Sequence, residues 1–190
     1  MNMPPTHALA RILLSLQLLA FLTTAHAKEA TPVPALPKGV LVLTPSPAPD
    51  FNLKNLDGKS VSLKANRGHW VFVHFWASWC GPCRKELPAI QKMIKAMRHT
   101  PLKIMLVNTA ETEDTVFNFF GKLELELDTL LDHDGQVTEQ WKPRGLPVTV
   151  MVDPKGYKRY MIIGGRPWDS KPYLDFLRRL IGTTKAKQTP

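Results

Sequence analysis

Continuous apolar runs mark the strands that we expect at the centre of a β-sheet. The runs cover residues 70–76, 103–107 and 148–152, and each has the length and the β-branched or aromatic content of a buried strand. Residues 157–163 are predicted to pair with the third run across the Asp-Pro-Lys-Gly turn at residues 153–156. The pattern therefore predicts a sheet whose buried central strand is 70–76.

Apolar residues at helical spacing predict three longer helices. The first runs from Lys85 to Met97. The second is capped by Thr112 and runs to about Phe120, and the third starts near Ser170. Because these helices are separated by the predicted strands, strands and helices alternate along most of the chain.

Weaker patterns add a hairpin and two short elements. Alternating residues on both sides of the turn dipeptide Asp57-Gly58 predict a β-hairpin over residues 51–63. A short strand is expected over residues 129–131 and a short helix over residues 137–141. The main elements follow the order β-hairpin, β, α, β, α, β, β, α. This order predicts an α/β fold with a mixed sheet and helices on both faces.

The first 27 residues are typical of a signal peptide. Arg11 precedes an apolar stretch over residues 12–22, and residues 25–27, Ala-His-Ala, place small residues where signal peptidase reads them. The apolar stretch is shorter than the roughly 20 residues of a membrane span. We therefore expect export to the periplasm with cleavage after Ala27, and an uncleaved inner-membrane tether is the alternative.

The residues after the signal peptide divide, by prediction, into a linker, a folded domain and a tail. The linker covers residues 28–47, the domain 48–182 and the tail 183–190. Six prolines between residues 32 and 49 leave few backbone donors, so an extended, semi-rigid spacer is expected. Two roles stay open for it: a tether that holds the domain off the membrane, and a disordered leader.

The chain is basic, with a formal net charge of +9. The basic residues are dispersed, and no basic stripe is interleaved with aromatic residues, which argues against a nucleic-acid-binding protein. Solubility and attraction to acidic partners or anionic lipid head groups explain the charge more simply.

The chain has two cysteines, Cys80 and Cys83, which stand three residues apart between a predicted strand and a predicted helix. A structural disulfide across so short a loop constrains almost nothing in the unfolded chain. A structural zinc site normally needs four ligands, and no second pair of cysteine or histidine residues completes one. The start of a helix favours a thiolate on the first cysteine. The pair is therefore predicted to be a redox switch.

Two motifs together resemble a known family. Residues 79–83, Trp-Cys-Gly-Pro-Cys, followed by Pro88, resemble the active site of thioredoxin, and residues 145–149, Gly-Leu-Pro-Val-Thr, resemble the thioredoxin segment whose proline is cis. The chain resembles the TlpA/ResA branch in its exported context, its hairpin, the insertion between strands and residues 150–156. This branch includes the DsbE-like reductases of cytochrome c maturation. The resemblance covers about residues 48–182. It implies a thioredoxin fold, a central mixed β-sheet flanked by helices, with an N-terminal β-hairpin and an insertion.

The resemblance also implies a role for each residue of the site. Cys80 would be the attacking thiolate, Cys83 would resolve the mixed disulfide, and the two would form a redox disulfide. Pro147 would be cis, so that the backbone of Leu146 pairs with an extended client segment beside Cys80. Glu86, one helical turn after Cys83, would be buried near the thiols and take part in proton transfer; a surface glutamate is the alternative.

Further positions qualify the resemblance. Trp79 is expected to offer an apolar platform to partner proteins, and Gly81-Pro82, the dipeptide of thioredoxin, favours a reductase. Thioredoxin carries its acidic partner six residues before the first cysteine, where this chain has His74. Either Glu86 takes over that role or His74 contributes a titratable imidazole; a histidine satisfied within the core is the simpler alternative.

The leading hypothesis is an exported thiol-disulfide oxidoreductase that reduces protein disulfides. Family analogy suggests two kinds of client, apocytochrome c and copper-site assembly proteins. Because the chain has no cofactor motif and its compartment is oxidising, electrons are expected from a transmembrane reductant of the DsbD/CcdA type. We expect no cofactor, no metal and a monomer.

The sequence supports other functions less well. A thiol oxidase or isomerase would use the same fold with a different reduction potential. A Cu(I) chaperone would bind the metal through both thiolates, but copper-delivery relatives space their cysteines more widely. A peroxidase is disfavoured because Trp76 stands where the proline of the Pro-x-x-x-Thr-x-x-Cys pattern would precede Cys83. His133 is interpreted as part of a solvated turn rather than as a metal ligand.

Overall fold

A computed structural model of the chain describes residues 36–185. Eight strands and four α-helices make up this part of the chain. The strands are β1 (Val40–Pro47), β2 (Asn52–Asn55), β3 (Ser60–Ser62), β4 (Val71–Trp76), β5 (Lys103–Thr109), β6 (Leu130–Asp132), β7 (Val148–Val152) and β8 (Tyr157–Ile163). The helices are α1 (Gly81–Met97), α2 (Glu113–Lys122), α3 (Gln136–Trp141) and α4 (Lys171–Lys185). A short 3₁₀ helix, Lys64–Asn66, follows β3.

The strands form one mixed sheet in the order β1-β8-β7-β4-β5-β6-β2-β3. β4 lies inside it, parallel to β5 and antiparallel to β7, and every residue of β4 is buried. A strand covered on both faces has no solvated side, which is why β4 appears in the sequence as an unbroken apolar run. The predictions of an α/β fold, of a mixed sheet and of a central strand at residues 70–76 are confirmed.

Two hydrophobic cores lie on opposite faces of the sheet, and β4 contributes alternate side chains to each. Phe72 and Trp76 belong to the core that contains α1, whereas Val73 and Phe75 belong to the other. Because successive side chains of a strand point to opposite faces, His74 shares the face of Phe72 and Trp76. A polar ring is thus buried on the face that α1 covers.

The structure corrects the predicted boundary between linker and domain. Residues 40–47, predicted as linker, form β1, which pairs antiparallel with β8. The two prolines of β1 argued against a strand, but an edge strand tolerates proline because one side of it makes no ladder hydrogen bonds. The predicted domain start at residue 48 is therefore too late, because the folded unit includes β1.

Predictions for the two ends of the chain are only partly covered by the structure. The signal peptide, residues 1–27, and the linker residues 28–35 lie outside the described residues. α4 continues to Lys185, so the predicted tail, residues 183–190, starts too early. Within residues 36–185 no helix has the length and apolar character that a membrane crossing requires.

The remaining elements lie close to their predicted positions. β2 and β3 pair on either side of Asp57-Gly58, as the alternating pattern predicted. The side chain of Thr112 caps α2 by accepting a hydrogen bond from the backbone N–H of Thr115 at 3.3 Å. The short strand and short helix are present as β6 and α3.

Candidate active site

The two cysteines lie at the start of α1 and are joined by a disulfide. Cys80 is the N-cap residue of α1, and its Sγ accepts a hydrogen bond from the backbone N–H of Cys83 at 3.3 Å. The Cα atoms of the two cysteines are 5.3 Å apart. Cys83 is fully buried, whereas 5% of Cys80 is exposed, so Cys80 is the more exposed of the two cysteines. After reduction, the positive end of the helix dipole favours a thiolate on Cys80.

An exposed aromatic residue and a cis peptide bond border the cysteines. Trp79 immediately precedes Cys80, and 67% of it is exposed. The Leu146–Pro147 bond is cis, as predicted. Because Val148 pairs with Phe75 near the end of β4, Pro147 lies at the sheet edge from which the chain continues to Cys80. Leu146 is half-buried there.

A carboxylate holds the loop that carries Trp79. Glu111, which follows β5, accepts hydrogen bonds at 2.7 Å from the backbone N–H of Ser78 and from the side-chain amide of Asn108. It also accepts one from the hydroxyl of Ser78. Sequence reasoning missed Glu111, although its place just after β5, parallel to β4, puts it at the same edge of the sheet as the cysteines.

An open cleft of about 410 Å³ lies beside Trp79. Its walls come from the start of α1 and from α2, and its lining residues are Ser78, Trp79, Arg84, Thr115, Asn118, Phe119, Lys122 and Leu123. The guanidinium of Arg84 lies 5.8 Å from the ring centroid of Phe119. The cleft is therefore lined by both aromatic and cationic groups and lies next to the redox pair.

A buried acid lies one turn behind Cys83. Glu86 is only 4% exposed. Its Oε2 accepts hydrogen bonds from the backbone N–H of Arg166 at 2.9 Å and from Nε1 of Trp168 at 3.1 Å. Its Oε1 lies 3.3 Å from Nε2 of His74, and Nδ1 of His74 lies 2.8 Å from the hydroxyl oxygen of Thr149. Glu86 is therefore buried, in agreement with the resemblance and against the surface alternative.

Burial shifts the pKa values of this pair in opposite directions. Loss of hydration raises the pKa of Glu86 to about 7, although the hydrogen bonds from Arg166 and Trp168 and the Arg166 charge pull it down. Loss of hydration lowers the pKa of His74 to about 3. Near neutral pH the histidine is therefore uncharged, and the Glu86 carboxyl is divided between its protonated and ionised forms.

Comparisons with known proteins identify the family of this chain. The model of the AhpC/TSA family matches residues 45–161, which is more than half of the chain. The chain belongs to the AhpC/TSA family. It is 34% identical over 111 residues to the thiol-disulfide oxidoreductase ResA of Bacillus subtilis, and the match covers 58% of this chain and 62% of that protein. The matched part thus spans less than two thirds of this curated relative.

Solved structures confirm the fold of this AhpC/TSA family member. One is assigned to the thiol:disulfide interchange protein DsbE of Chlorobium tepidum, with a TM-score of 0.61, 30% identity and coverage of 79% of this chain and 99% of that chain. Another is the thioredoxin domain of a thiol-disulfide oxidoreductase of Bacteroides vulgatus, with a TM-score of 0.60, 26% identity and coverage of 74% and 99%. The predicted thioredoxin-like fold is confirmed.

Most of the predicted site residues lie at one end of the sheet. Trp76 and His133 are not among the predicted site residues and lie in the core and in an exposed turn. Trp76 is fully buried in the core. His133 is exposed in its turn, with Nδ1 3.0 Å from the backbone carbonyl oxygen of Glu111. Within residues 36–185 no group of three or more histidine, cysteine or acidic side chains is placed to hold a metal ion.

Two residues of the buried cluster had no sequence signal. Trp168 and Arg166 lie 82 and 80 residues from Glu86 in the chain, in the segment between β8 and α4. A lone tryptophan after a strand indicates ordinary core packing, and Trp168 does pack edge-on against Phe72 at 4.8 Å. Its hydrogen bond to a carboxylate depends on the tertiary fold, which a local pattern does not contain.

Proposed function

We propose that this protein is an exported thiol-disulfide oxidoreductase that reduces disulfides in other proteins through Cys80 and Cys83. The observation that carries the proposal is the Cys80–Cys83 disulfide at the start of α1, with the more exposed cysteine at the N-cap. The chemistry of ResA and DsbE, as their names state it, supports the same activity for this chain.

The reaction transfers two electrons from the dithiol to the client. The Cys80 thiolate attacks one sulfur of the client disulfide, which forms a mixed disulfide and releases the other client sulfur as a thiolate. Cys83 then gives up its proton and attacks the Cys80 sulfur. This step restores the Cys80–Cys83 disulfide and releases the second client thiolate. Both client thiolates take up protons, so the client gains two electrons and two protons.

Glu86 acts in this scheme as the acid–base group for Cys83. Its carboxyl group lies one helical turn behind Cys83 on α1, and its pKa of about 7 makes both protonation states available near neutral pH. An ionised Glu86 accepts the proton of Cys83 as that thiol attacks. The protonated form then supplies a proton to a departing thiolate.

The client lies in an extended conformation across the rim of the site. The cis segment Leu146-Pro147 offers backbone pairing to the client strand, and Trp79 offers an exposed apolar face. Gly81 and Pro82 are both exposed between the cysteines, so a client disulfide can approach Cys80 over a small surface. Four residues, Trp79, Gly81, Pro82 and Leu146, therefore make up the proposed substrate-binding rim.

The Gly81-Pro82 dipeptide favours electron flow from this protein to its clients. Thioredoxin, which shares it, has a potential of about −270 mV and acts as a reductant. Clients would be the haem-binding Cys-x-x-Cys motif of apocytochrome c or the cysteines of a copper-site assembly protein. A transmembrane reductant of the DsbD/CcdA type would return electrons to the periplasmic domain, which we expect to act as a monomer.

An assay with one peptide in two redox states tests the proposed direction. We expect the reduced protein to reduce an intramolecular Cys-x-x-Cys-His peptide disulfide, and the oxidised protein to leave the dithiol form of the same peptide largely unchanged. Alkylation followed by mass spectrometry measures both. The matched peptide with serine in place of its cysteines is the control for binding without exchange. Rapid oxidation of the dithiol peptide, with no reduction of the disulfide peptide, would instead identify a thiol oxidase.

A further inference from the structure

The buried imidazole of His74 takes no part in the disulfide exchange proposed above. His74 lies on β4 beneath α1, is fully buried and stacks against Phe72 with ring centroids 5.9 Å apart. A strand position of this kind normally carries an apolar residue. An isolated buried imidazole loses its hydration and gains no hydrogen bond in exchange. The neighbours of its two nitrogens therefore decide what the ring does.

Each ring nitrogen faces one oxygen. Nδ1 lies 2.8 Å from the hydroxyl oxygen of Thr149 on β7, and Nε2 lies 3.3 Å from Oε1 of Glu86 on α1. Neither Nε2 nor that Oε1 has another hydrogen-bond partner within the described residues. The three side chains thus form a chain of polar atoms, Thr149–His74–Glu86, with the imidazole in the middle.

With a neutral imidazole, the polar atoms of Thr149, His74 and Glu86 can be fully hydrogen-bonded to one another in two arrangements of their protons. A neutral imidazole has one donor and one acceptor nitrogen, and a hydroxyl can donate or accept. When Glu86 is protonated, its Oε1–H donates to Nε2, and Nδ1–H donates to the hydroxyl oxygen of Thr149. When Glu86 is ionised, Nε2–H donates to Oε1, and the hydroxyl of Thr149 donates to Nδ1.

We propose that His74 is a positioning residue for the proton of Glu86, a neutral ring that changes tautomer whenever the Glu86 carboxyl gains or loses that proton. The ring carries one proton in both arrangements. The pair therefore differs between its two states by the single proton of Glu86, which passes to a thiolate or to water. The use of this proton in disulfide exchange rests on the proposed function; the tautomer change does not.

The surroundings of Glu86 keep the ring uncharged while the acid titrates. Burial lowers the pKa of His74 to about 3, well below the value of about 7 for Glu86. The segment after β8 supplies two donors to Oε2, Arg166 N–H and Trp168 Nε1, and α1 supplies Cys83 one turn away. The positive charge that acts on Glu86 is the Arg166 guanidinium, which donates to two backbone carbonyls.

Nuclear magnetic resonance of the oxidised protein tests the inference without any thiol titration. In ¹⁵N-labelled protein we expect the His74 ring to be protonated on Nδ1 at acidic pH and on Nε2 at alkaline pH. The midpoint of this exchange should equal the midpoint of the ¹³C carboxyl signal of Glu86. In Glu86→Gln the ring should keep one tautomer across the same pH range, and Thr149→Ser, which retains the hydroxyl, should keep the exchange.

The outcomes separate this inference from the proposed function. One unchanging tautomer in the wild-type protein, or an imidazolium signal that appears as Glu86 takes up its proton, would overturn the role of His74 whatever the reductase assay shows. Conversely, a protein that fails to reduce the peptide disulfide but shows the tautomer exchange contradicts the proposed reaction and leaves the role of His74 standing.

Discussion

Replacing Cys80 by alanine is expected to lower the rate of disulfide reduction by at least about a thousandfold, because the attacking sulfur is lost. Replacing Cys83 by alanine should also stop turnover, but at a different point. Cys80 would still attack, since it is the N-cap residue and the more exposed of the two cysteines. The reaction would then halt at the mixed disulfide, because the buried resolving sulfur is missing.

These two variants carry the same substitution three residues apart and are matched controls for each other. After incubation of each reduced variant with the disulfide peptide, mass spectrometry should find one peptide attached to Cys83→Ala and none attached to Cys80→Ala. Circular dichroism of both variants checks that the fold is kept. Attachment to the Cys80→Ala variant alone would reverse the roles assigned to the two sulfurs.

The second large effect concerns the pH dependence of stability, in which Glu86 and His74 offset each other. Between about pH 4.5 and 6.5 the folded pair holds one proton, on Glu86, since the pKa of this carboxyl is raised to about 7. The unfolded pair also holds one proton, on His74, whose ordinary pKa is 6.5. The proton counts are equal, so this pair adds no pH dependence in that window.

When either residue is replaced, the free energy of unfolding should depend on pH through the one that remains. In Glu86→Gln, His74 remains with a depressed pKa, so its contribution to stability is lost as the pH falls below 6.5 toward 3. In His74→Asn, Glu86 remains with a raised pKa, so its contribution is present below about 4.5 and is lost as the pH rises through about 7. Each slope should approach about 1.4 kcal/mol per pH unit.

Urea unfolding of the oxidised proteins at several pH values measures both slopes as differences from the wild-type protein. Relative to wild type, Glu86→Gln should gain stability with rising pH and His74→Asn should lose it. Glu126→Gln, which removes a glutamate whose side chain is 84% exposed, is the matched control and should follow the wild-type profile. Parallel profiles for all four proteins would mean that the buried pair does not exchange protons as assigned.

The sequence predicted the parts of the fold that local patterns encode. β4 and β7 appear as apolar runs because they are buried, and α2 is marked by the capping residue Thr112. β1 could not be predicted, because its prolines are compatible with a strand only at a sheet edge. That position is known only once β8 is in place.

The site was predictable to a similar extent. Residues 79–83 and the cis bond before Pro147 follow from motifs, and the burial of Glu86 follows from its spacing to Cys83 together with the family resemblance. The hydrogen bond from Trp168 to Glu86 is not encoded locally, because the two residues are 82 positions apart in the chain. The environment that sets the pKa of Glu86 is therefore a property of the folded protein.

The reduction potential of the Cys80–Cys83 pair distinguishes a reductase from a disulfide donor. Equilibration of the protein in dithiothreitol redox buffers, followed by alkylation of free thiols, gives the potential from the fraction of reduced protein. If the protein is a reductase, we expect a value of about −250 mV or below, in the range of thioredoxin. A value near about −120 mV, that of a strong periplasmic oxidant, would contradict it and make the protein a disulfide donor.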